Sequence, residues 1–347
     1  MSRRKRITRR KSSVGAARTF LVIVLLVLCA AGAGAGWLVF APFGPTSETF
    51  VAIPPGSSTI HMGRQLQAAG IVRSSYAFDL MRWRKRGTLK AGTYRFDHPA
   101  PVAEVYERIQ HSDVYTIAVT VPEGSNIFDI AARLEEAGVG PRQDFLKVAV
   151  KQAETIADLD PQATSLEGYL FPDTYRLAPK TPAAQIAATM VRRFRLAAAQ
   201  LGLKGNVHAV VTMASLVERE TAVDGERAVV AGVFENRMAK DMPLMTDPSV
   251  IYGLELSRLW RGQLYETELK HDTPYNTYVH PGLPPGPIAN PGMRSLRAAM
   301  EPAKTDYLYF VAGGANPQGH SLFASTIEEH NRNVAGYRHA MKKAGER

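Results

Sequence analysis

From Phe20 to Ala41 the chain runs without a charged side chain, through FLVIVLLVLCAAGAGAGWLVFA. About 20 apolar residues at roughly 1.5 Å per residue cross a hydrocarbon core of about 30 Å, so this stretch is expected to be a transmembrane helix. Residues 1–18 carry Arg3, Arg4, Lys5, Arg6, Arg9, Arg10, Lys11 and Arg18 and no acid. A basic flank is retained in the cytoplasm, which sends the C-terminal side outward. Trp37 and Phe40 fall where interfacial aromatics are expected. Three rival readings are weaker. Ala31-Gly32-Ala33 and Ala33-Gly34-Ala35 resemble signal-peptide cleavage sites, but the apolar run is long for a signal core. Thr8-Arg9-Arg10-Lys11 hints at twin-arginine export, a pair that basic tails contain by chance. Cys29 follows Leu28, where a lipoprotein would need a small residue.

Charge takes on a different meaning once this segment is set aside. Of the formal +10, eight positive side chains precede Phe20, so the rest of the chain carries only +2. The basic run serves membrane topology, and no nucleic-acid partner is implied. The single cysteine, Cys29, lies inside the apolar run. The part beyond it has no disulfide and no thiolate metal site.

Residues 42–50 (PFGPTSETF) read as a linker, and an internal repeat follows. VAIPPGSSTIHMGRQLQAAGIV (51–72) aligns without gaps to VTVPEGSNIFDIAARLEEAGVG (119–140). The offset is a constant 68, pairing Gly56 with Gly124, Leu66 with Leu134 and Gly70 with Gly138. Each copy reads as a short strand, a Pro-x-Gly turn, a helix capped by Ser57/Ser58 or Ser125/Asn126, and a left-handed glycine stop. Such a module is either packing scaffold or, since the pattern looks like the LysM kind, a glycan-binding unit. Further helices are expected at Tyr76–Lys85, Val102–His111, Arg142–Glu154, Thr181–Leu201 with Pro182 in its first turn, and Gly225–Lys240, with LKAGTYRF (89–96) as a strand.

The helix expected at Val207–Thr221 carries the chemistry. Val207, Val210, Val211, Ala214 and Val217 form one stripe, which Glu218 joins four residues after Ala214. Glu220 lies about 200° away. A carboxylic acid on an apolar face is desolvated and favours the protonated, donating form near neutral pH. The plainer alternative pairs Glu218 with a buried arginine such as Arg219 or Arg227. Residues 271–292 (HDTPYNTYVHPGLPPGPIANPG) form a long irregular Pro/Gly loop, of the sort that usually serves function. Its Tyr275, Asn276, Thr277 and Tyr278 are the flat aromatic and amide groups a sugar groove uses. His271/His280 and His320/His330 are spaced too widely for common zinc motifs, so no metal or cofactor is expected. GGANPQG (313–319) lacks the Lys-Ser/Thr of a phosphate loop, and no Gly-x-Ser-x-Gly elbow is present.

LEGYLFPDTY, ASLVERET, RMAKDMPLMTDPSVIYGL, TPYNTYVHPGLPPGPIANPG and PAKTDYLYFVAGG with GHSLFAS…HN together resemble, in order, the MltG/YceG endolytic murein transglycosylases. The resemblance covers essentially all of the chain beyond the linker and includes the basic tail and apolar run. It implies an α+β protein: a cytoplasmic tail (1–18), a transmembrane helix (19–41), a linker (42–50), a LysM-like α/β subdomain (51–118) and a mixed α/β catalytic domain (119–340). It implies single-pass residence in the cell inner membrane, a periplasmic catalytic domain, and peptidoglycan glycan strands as substrate, with penicillin-binding synthases as candidate partners. The family's catalytic glutamate falls on the first Glu of ASLVERET, Glu218. Glu167, Tyr175, Thr246, Asp247, Tyr252, Tyr275, Asn276, Thr277 and Tyr278 are carried over as groove residues, each with a packing or turn role as the alternative.

Ordinary glycosidases use two carboxyl groups, whereas a lytic transglycosylase needs one. The acid protonates the glycosidic oxygen and then deprotonates the 6-hydroxyl of the same N-acetylmuramic acid, which closes to a 1,6-anhydro end. Two rivals remain: a muramidase using water, with Asp247 as base, and a non-enzymatic peptidoglycan-binding scaffold.

Overall fold

The computed structural model describes residues 13–85, 87–314 and 319–345; the basic side chains from Arg3 to Lys11, and residues 315–318 of the GGANPQG stretch, lie outside them. Helix α1 (Ser13–Phe40) carries, over Ala17–Phe40, the one segment among the described residues long and apolar enough to cross a membrane. Most of its side chains are exposed, but at its end Val39 enters a core and the Arg73 guanidinium lies 3.8 Å from the Trp37 ring centroid. The anchor is therefore packed against the module that follows it.

The chain divides into two compact units, one ending at Thr116 and one beginning at Ile117. After α1 the first unit contains β1 (Thr49–Ile53), α2 (Thr59–Ala68), α3 (Ser75–Lys85), β2 (Gly92–Phe96) and α4 (Val102–Gln110). Strands β1 and β2 pair antiparallel, with Val51 opposite Tyr94. Leu66, Phe78, Tyr94 and Tyr106 are fully buried between the strands and helices. The second unit opens with β3 (Ile117–Thr120), α5 (Ile127–Glu136), α6 (Arg142–Lys151), β4 (Thr174–Leu177) and α7 (Ala183–Leu201). Strands β3 and β4 are again antiparallel, with Val119 opposite Tyr175.

The repeat is real, and it is longer than the sequence alignment. Gly56 and Gly124 adopt φ +78° and +77°, and Gly70 and Gly138 both adopt +70°. Ser58 caps α2 by accepting the His61 N–H, while Asn126 caps α5 within a full capping box closed by Asp129. Past the aligned residues, both copies continue as a second helix, a returning strand and a third helix. Packing preserves this order without preserving side chains, so the sequence alone shows only its first third.

The remainder of the second unit is largely helical: α8 (Val207–Glu220), α9 (Arg227–Met238), α10 (Asp247–Leu256), α11 (Met293–Met300), a hairpin of β5 (Tyr309–Ala312) and β6 (Ser321–Ala324), and α12 (Ile327–Gly345). Several boundaries differ from expectation. The helix expected to reach Glu154 stops at Lys151, and the one expected from Gly225 begins at Arg227, each adjoining a 3₁₀ turn. The expected stripe on α8 is absent. From Val211 to Val217 every residue is buried, so α8 is a core helix covered on all sides. A single-face argument therefore cannot choose between the two glutamates at its end.

LEGYLFPDTY packs under α8 through Gly168, at φ +88°. A Cβ there would lie 2.5 Å from Pro287 Cγ and 2.8 Å from Val211 Cγ1. Gly168→Ala is expected to cost about 2–4 kcal/mol, the left-handed penalty plus overpacking, read as a lower urea midpoint with an unchanged slope.

Candidate active site

Helix α8 is capped by Asn206, whose side chain accepts the Ala209 N–H, and its last three residues are Glu218, Arg219 and Glu220. The two glutamates have opposite environments. Glu218 is 5% exposed and clamped: Arg227 Nη2 donates to Oε1 at 3.2 Å, and the Gly292 N–H donates to Oε2 at 2.8 Å. Arg227, itself 6% exposed, also donates to Ser295 Oγ at 3.0 Å and to Asp224. Of the alternatives open in the sequence, the structure thus shows the buried Glu–Arg pair. A guanidinium and a backbone N–H together hold this carboxyl in one orientation.

Glu220 makes no hydrogen bond or ion pair among the described residues. Burial first, and then the nearby charge of Asp247, push its carboxyl up to about 7, against the lowering effect of Arg237 and Arg219. Its place at the C-terminus of α8 adds in the same direction, since the helix dipole there opposes negative charge. Asp247 has the reverse setting. It is exposed, occupies the first turn of α10, where the dipole favours an anion, and accepts the Tyr278 O–H at 2.6 Å. Burial and Asp247 both raise the Tyr278 hydroxyl, keeping it a neutral donor. Arg237 completes the cluster from α9, tethered to the carbonyls of Leu308 and Leu244 at 2.7 Å each. A proton-holding carboxyl, an anion and a neutral phenol therefore sit together, which is the sorting that acid catalysis beside a cationic centre requires.

The remaining expected groove residues divide by burial. Asp247, Tyr275 and Tyr278 reach the surface. Glu167, Tyr175, Thr246, Tyr252, Asn276 and Thr277 are buried, and their polar groups are spent inside the protein. Thr246 and Thr277 bond to one another and to Ser249. The Asn276 amide donates to the carbonyls of Leu269 and His271 at 3.0 and 2.8 Å. Tyr175 donates to the Phe171 carbonyl. Glu167 accepts the Ile127 N–H at 2.9 Å and the Asn290 amide at 2.8 Å, and burial pushes it up to about 8. These side chains shape the loop from within, because a buried polar group is retained where its partners are protein atoms. The residues that sequence reasoning missed are Arg237, Asn290 and Gly292. Only the Asn-Pro-Gly at 290–292 carried a local signal, that of a fixed turn. Among the described residues, no three His, Cys, Asp or Glu side chains converge as a metal would need.

Removing one partner of the Glu218–Arg227 pair leaves a buried charge unmatched, at a cost of about 3–5 kcal/mol. Arg227→Gln is expected to lose that much stability, and Arg227→Gln with Glu218→Gln to lose less, measured by chemical denaturation.

A family model described as the YceG-like family matches residues 51–336. The chain is 34% identical to an endolytic murein transglycosylase of Bacillus subtilis (strain 168), over 86% of this chain and 87% of that protein. It is 30% identical to one of Streptococcus pneumoniae (strain ATCC BAA-255 / R6), over 90% of this chain and 64% of that longer protein. The 2.6 Å crystal structure of the yceG-like protein lmo1499 from Listeria monocytogenes is similar at a TM-score of 0.54 and 31% identity, covering 83% of this chain and 99% of that one. The chain belongs to the YceG-like family.

Proposed function

We propose that this protein is a membrane-anchored endolytic peptidoglycan lytic transglycosylase, and that Glu220 is its acid. The names borne by its relatives support the reaction class. The choice of Glu220 rests on one observation: it is the carboxyl at the end of α8 with a proton to give near neutral pH, whereas Glu218 is committed to Arg227 and Gly292. The family resemblance points instead to Glu218, the rival acid, which Arg227 and Gly292 hold in place.

Protonated Glu220 donates to the glycosidic oxygen between N-acetylmuramic acid and N-acetylglucosamine, and the C1–O bond breaks. The ring is left with oxocarbenium character, which the Asp247 anion and its Tyr278 partner are set to stabilise. Glu220, now a carboxylate, takes the proton of the C6 hydroxyl as that oxygen bonds to C1. The 1,6-anhydro end forms, the acid is restored, and no water is consumed. The basic tail and apolar run support an anchor in the cell inner membrane with the catalytic unit in the periplasm. The βααβ order of each repeat supports the LysM-like, glycan-holding reading. An enzyme tethered there meets new strands before the mature wall, so its role is terminating strand elongation beside the synthases.

Two carboxyls in one cluster also suit hydrolysis, with Asp247 activating water. Mass spectrometry of released ends separates the two: anhydro ends support transglycosylation, and plain reducing ends establish a muramidase. Glu220→Gln is expected to reduce cleavage of uncrosslinked glycan about 10²–10⁴-fold with folding intact, while Glu218→Gln loses stability and keeps cleavage in its folded fraction. The opposite pattern returns the acid to Glu218; full cleavage by both variants rules out both glutamates, and no cleavage by the wild type leaves a binding scaffold.

The raised carboxyl also sets two pH responses. The donor form of Glu220 is lost above about pH 7, so kcat/KM is expected to fall with rising pH there. For stability, the folded state holds this proton after the unfolded chain, near its ordinary 4.5, has lost it. Wild type therefore loses stability relative to Glu220→Gln as pH climbs from about 4.5 to about 7, a gap to be read from melting temperatures across that range.

A further inference from the structure

The second unit also holds a cavity whose lining includes none of the residues assigned to the glycosidic chemistry. It has a volume of about 820 Å³ and lies between α5–α6 and the end of α10. Phe128 and Trp260 form apolar walls, and Arg142, Lys147, Lys151 and Arg258 stand around it. The side chains of Arg142, Lys151 and Arg258 make no ion pair or hydrogen bond among the described residues. Cations on one rim repel each other; Lys147 pairs with Asp144 at 3.4 Å, and the other three have no such partner among the described residues.

Arg258 adds a second observation. It follows α10 at φ +58°, where glycine is the cheaper residue, while Leu259 and Trp260 donate back to the Leu254 carbonyl. A guanidinium is thus kept at a position whose backbone asks for none. The cavity is also connected to the acid. Glu255 on its wall accepts the Asn126 amide at 2.6 Å, and two residues before Asn126 the Gly124 carbonyl accepts Arg219, which lies between Glu218 and Glu220, at 3.2 Å. The turn of the second repeat therefore joins the cavity wall to the end of α8.

We propose that this cavity binds the stem peptide of the glycan strand, through its carboxylates; the inference rests on the peptidoglycan reading above. The amino-sugar backbone is uncharged where the lactyl group is amidated, so four cations have nothing to recognise on the sugars themselves. The stem peptide carries carboxylates along its length and short apolar side chains, which match a basic rim over Phe128 and Trp260. The enzyme thereby selects strands that still bear peptides, the state in which strands are made, over strands already stripped.

The test uses the full-length protein in detergent and two uncrosslinked substrates: strands bearing stem peptides, and the same strands after an amidase has removed them. Stripping leaves a carboxylate on the sugar, so the pair reports reach into the cavity rather than total charge. With peptide-bearing strands, Arg142→Gln/Lys151→Gln/Arg258→Gly is expected to raise KM about tenfold at unchanged kcat, and to leave stripped strands unaffected. The wild-type preference should shrink as salt rises. Independently of any folding defect in the variant, titrating the free stem pentapeptide should change wild-type tryptophan fluorescence and not that of Trp260→Phe. Equal effects on both substrates, no effect on either, or pentapeptide without a fluorescence response would overturn the pocket assignment while leaving the transglycosylase intact. A wild type idle on both substrates would overturn the reaction itself.

Discussion

The second unit depends on what happens around Asn290. This fully buried residue bonds four ways: its N–H and its side-chain amide donate to the Ser125 carbonyl, its carbonyl accepts the Gly124 N–H, and its side-chain oxygen accepts the Leu170 N–H. The same amide reaches Glu167, whose other oxygen takes the Ile127 N–H. Three segments far apart in the chain are thus locked by one satisfied network: the turn of the second repeat, LEGYLFPDTY and the end of the Pro/Gly loop. A buried network of this kind specifies a single arrangement, because any slip strands a polar group. Two residues on, Gly292 donates to Glu218, so the network also sets where α8 ends and where Glu220 stands.

The carboxyl groups around the site then acquire different duties from their surroundings alone. Glu218 is paired with Arg227 and takes the Gly292 N–H. Glu167 and Glu220 are both pushed up by burial, but Glu167 is enclosed among protein donors while Glu220 opens toward Asp247 and Tyr278. Helix direction sharpens the contrast, with Glu220 at the electronegative end of α8 and Asp247 at the electropositive end of α10. Electrostatics of the fold, more than identity of the side chain, distinguishes the paired glutamate from the unpaired one.

That is also why the sequence was readable to different depths. The membrane span follows from composition, since a long charge-free run has few other uses. The helices and the first third of the repeat follow from periodicity and turn chemistry, which are local. The site was legible as a region: ASLVERET, the Pro/Gly loop and Asp247 do come together in the second unit. Which glutamate the surroundings leave unpaired was not legible. Both follow a helix buried all round, and the deciding partners, Arg227, Gly292 and Arg237, arrive from other elements. Asn276, Thr277 and Tyr252 read as sugar-binding types because amides, hydroxyls and rings also serve to hold an irregular loop together from inside. Residue type alone does not separate those uses; burial does.

The two repeats show how one backbone can be put to different work. Gly56 and Gly124 share nearly the same left-handed φ, and in each place a Cβ would find room, so glycine is kept for the turn itself. What differs is the cover. The turn of the first copy is open, with Ser58 exposed; in the second, Ser125 and Asn126 are buried, Gly124 lies 3.5 Å, at its notional Cβ, from Glu218, and its carbonyl accepts from Arg219. The second copy has become a wall of the site it adjoins. A module whose turn already presents ordered backbone donors needs few changes for that role, since Asn290 binds its main chain and asks little of its side chains. The first copy is free of that commitment, and its turn stays exposed.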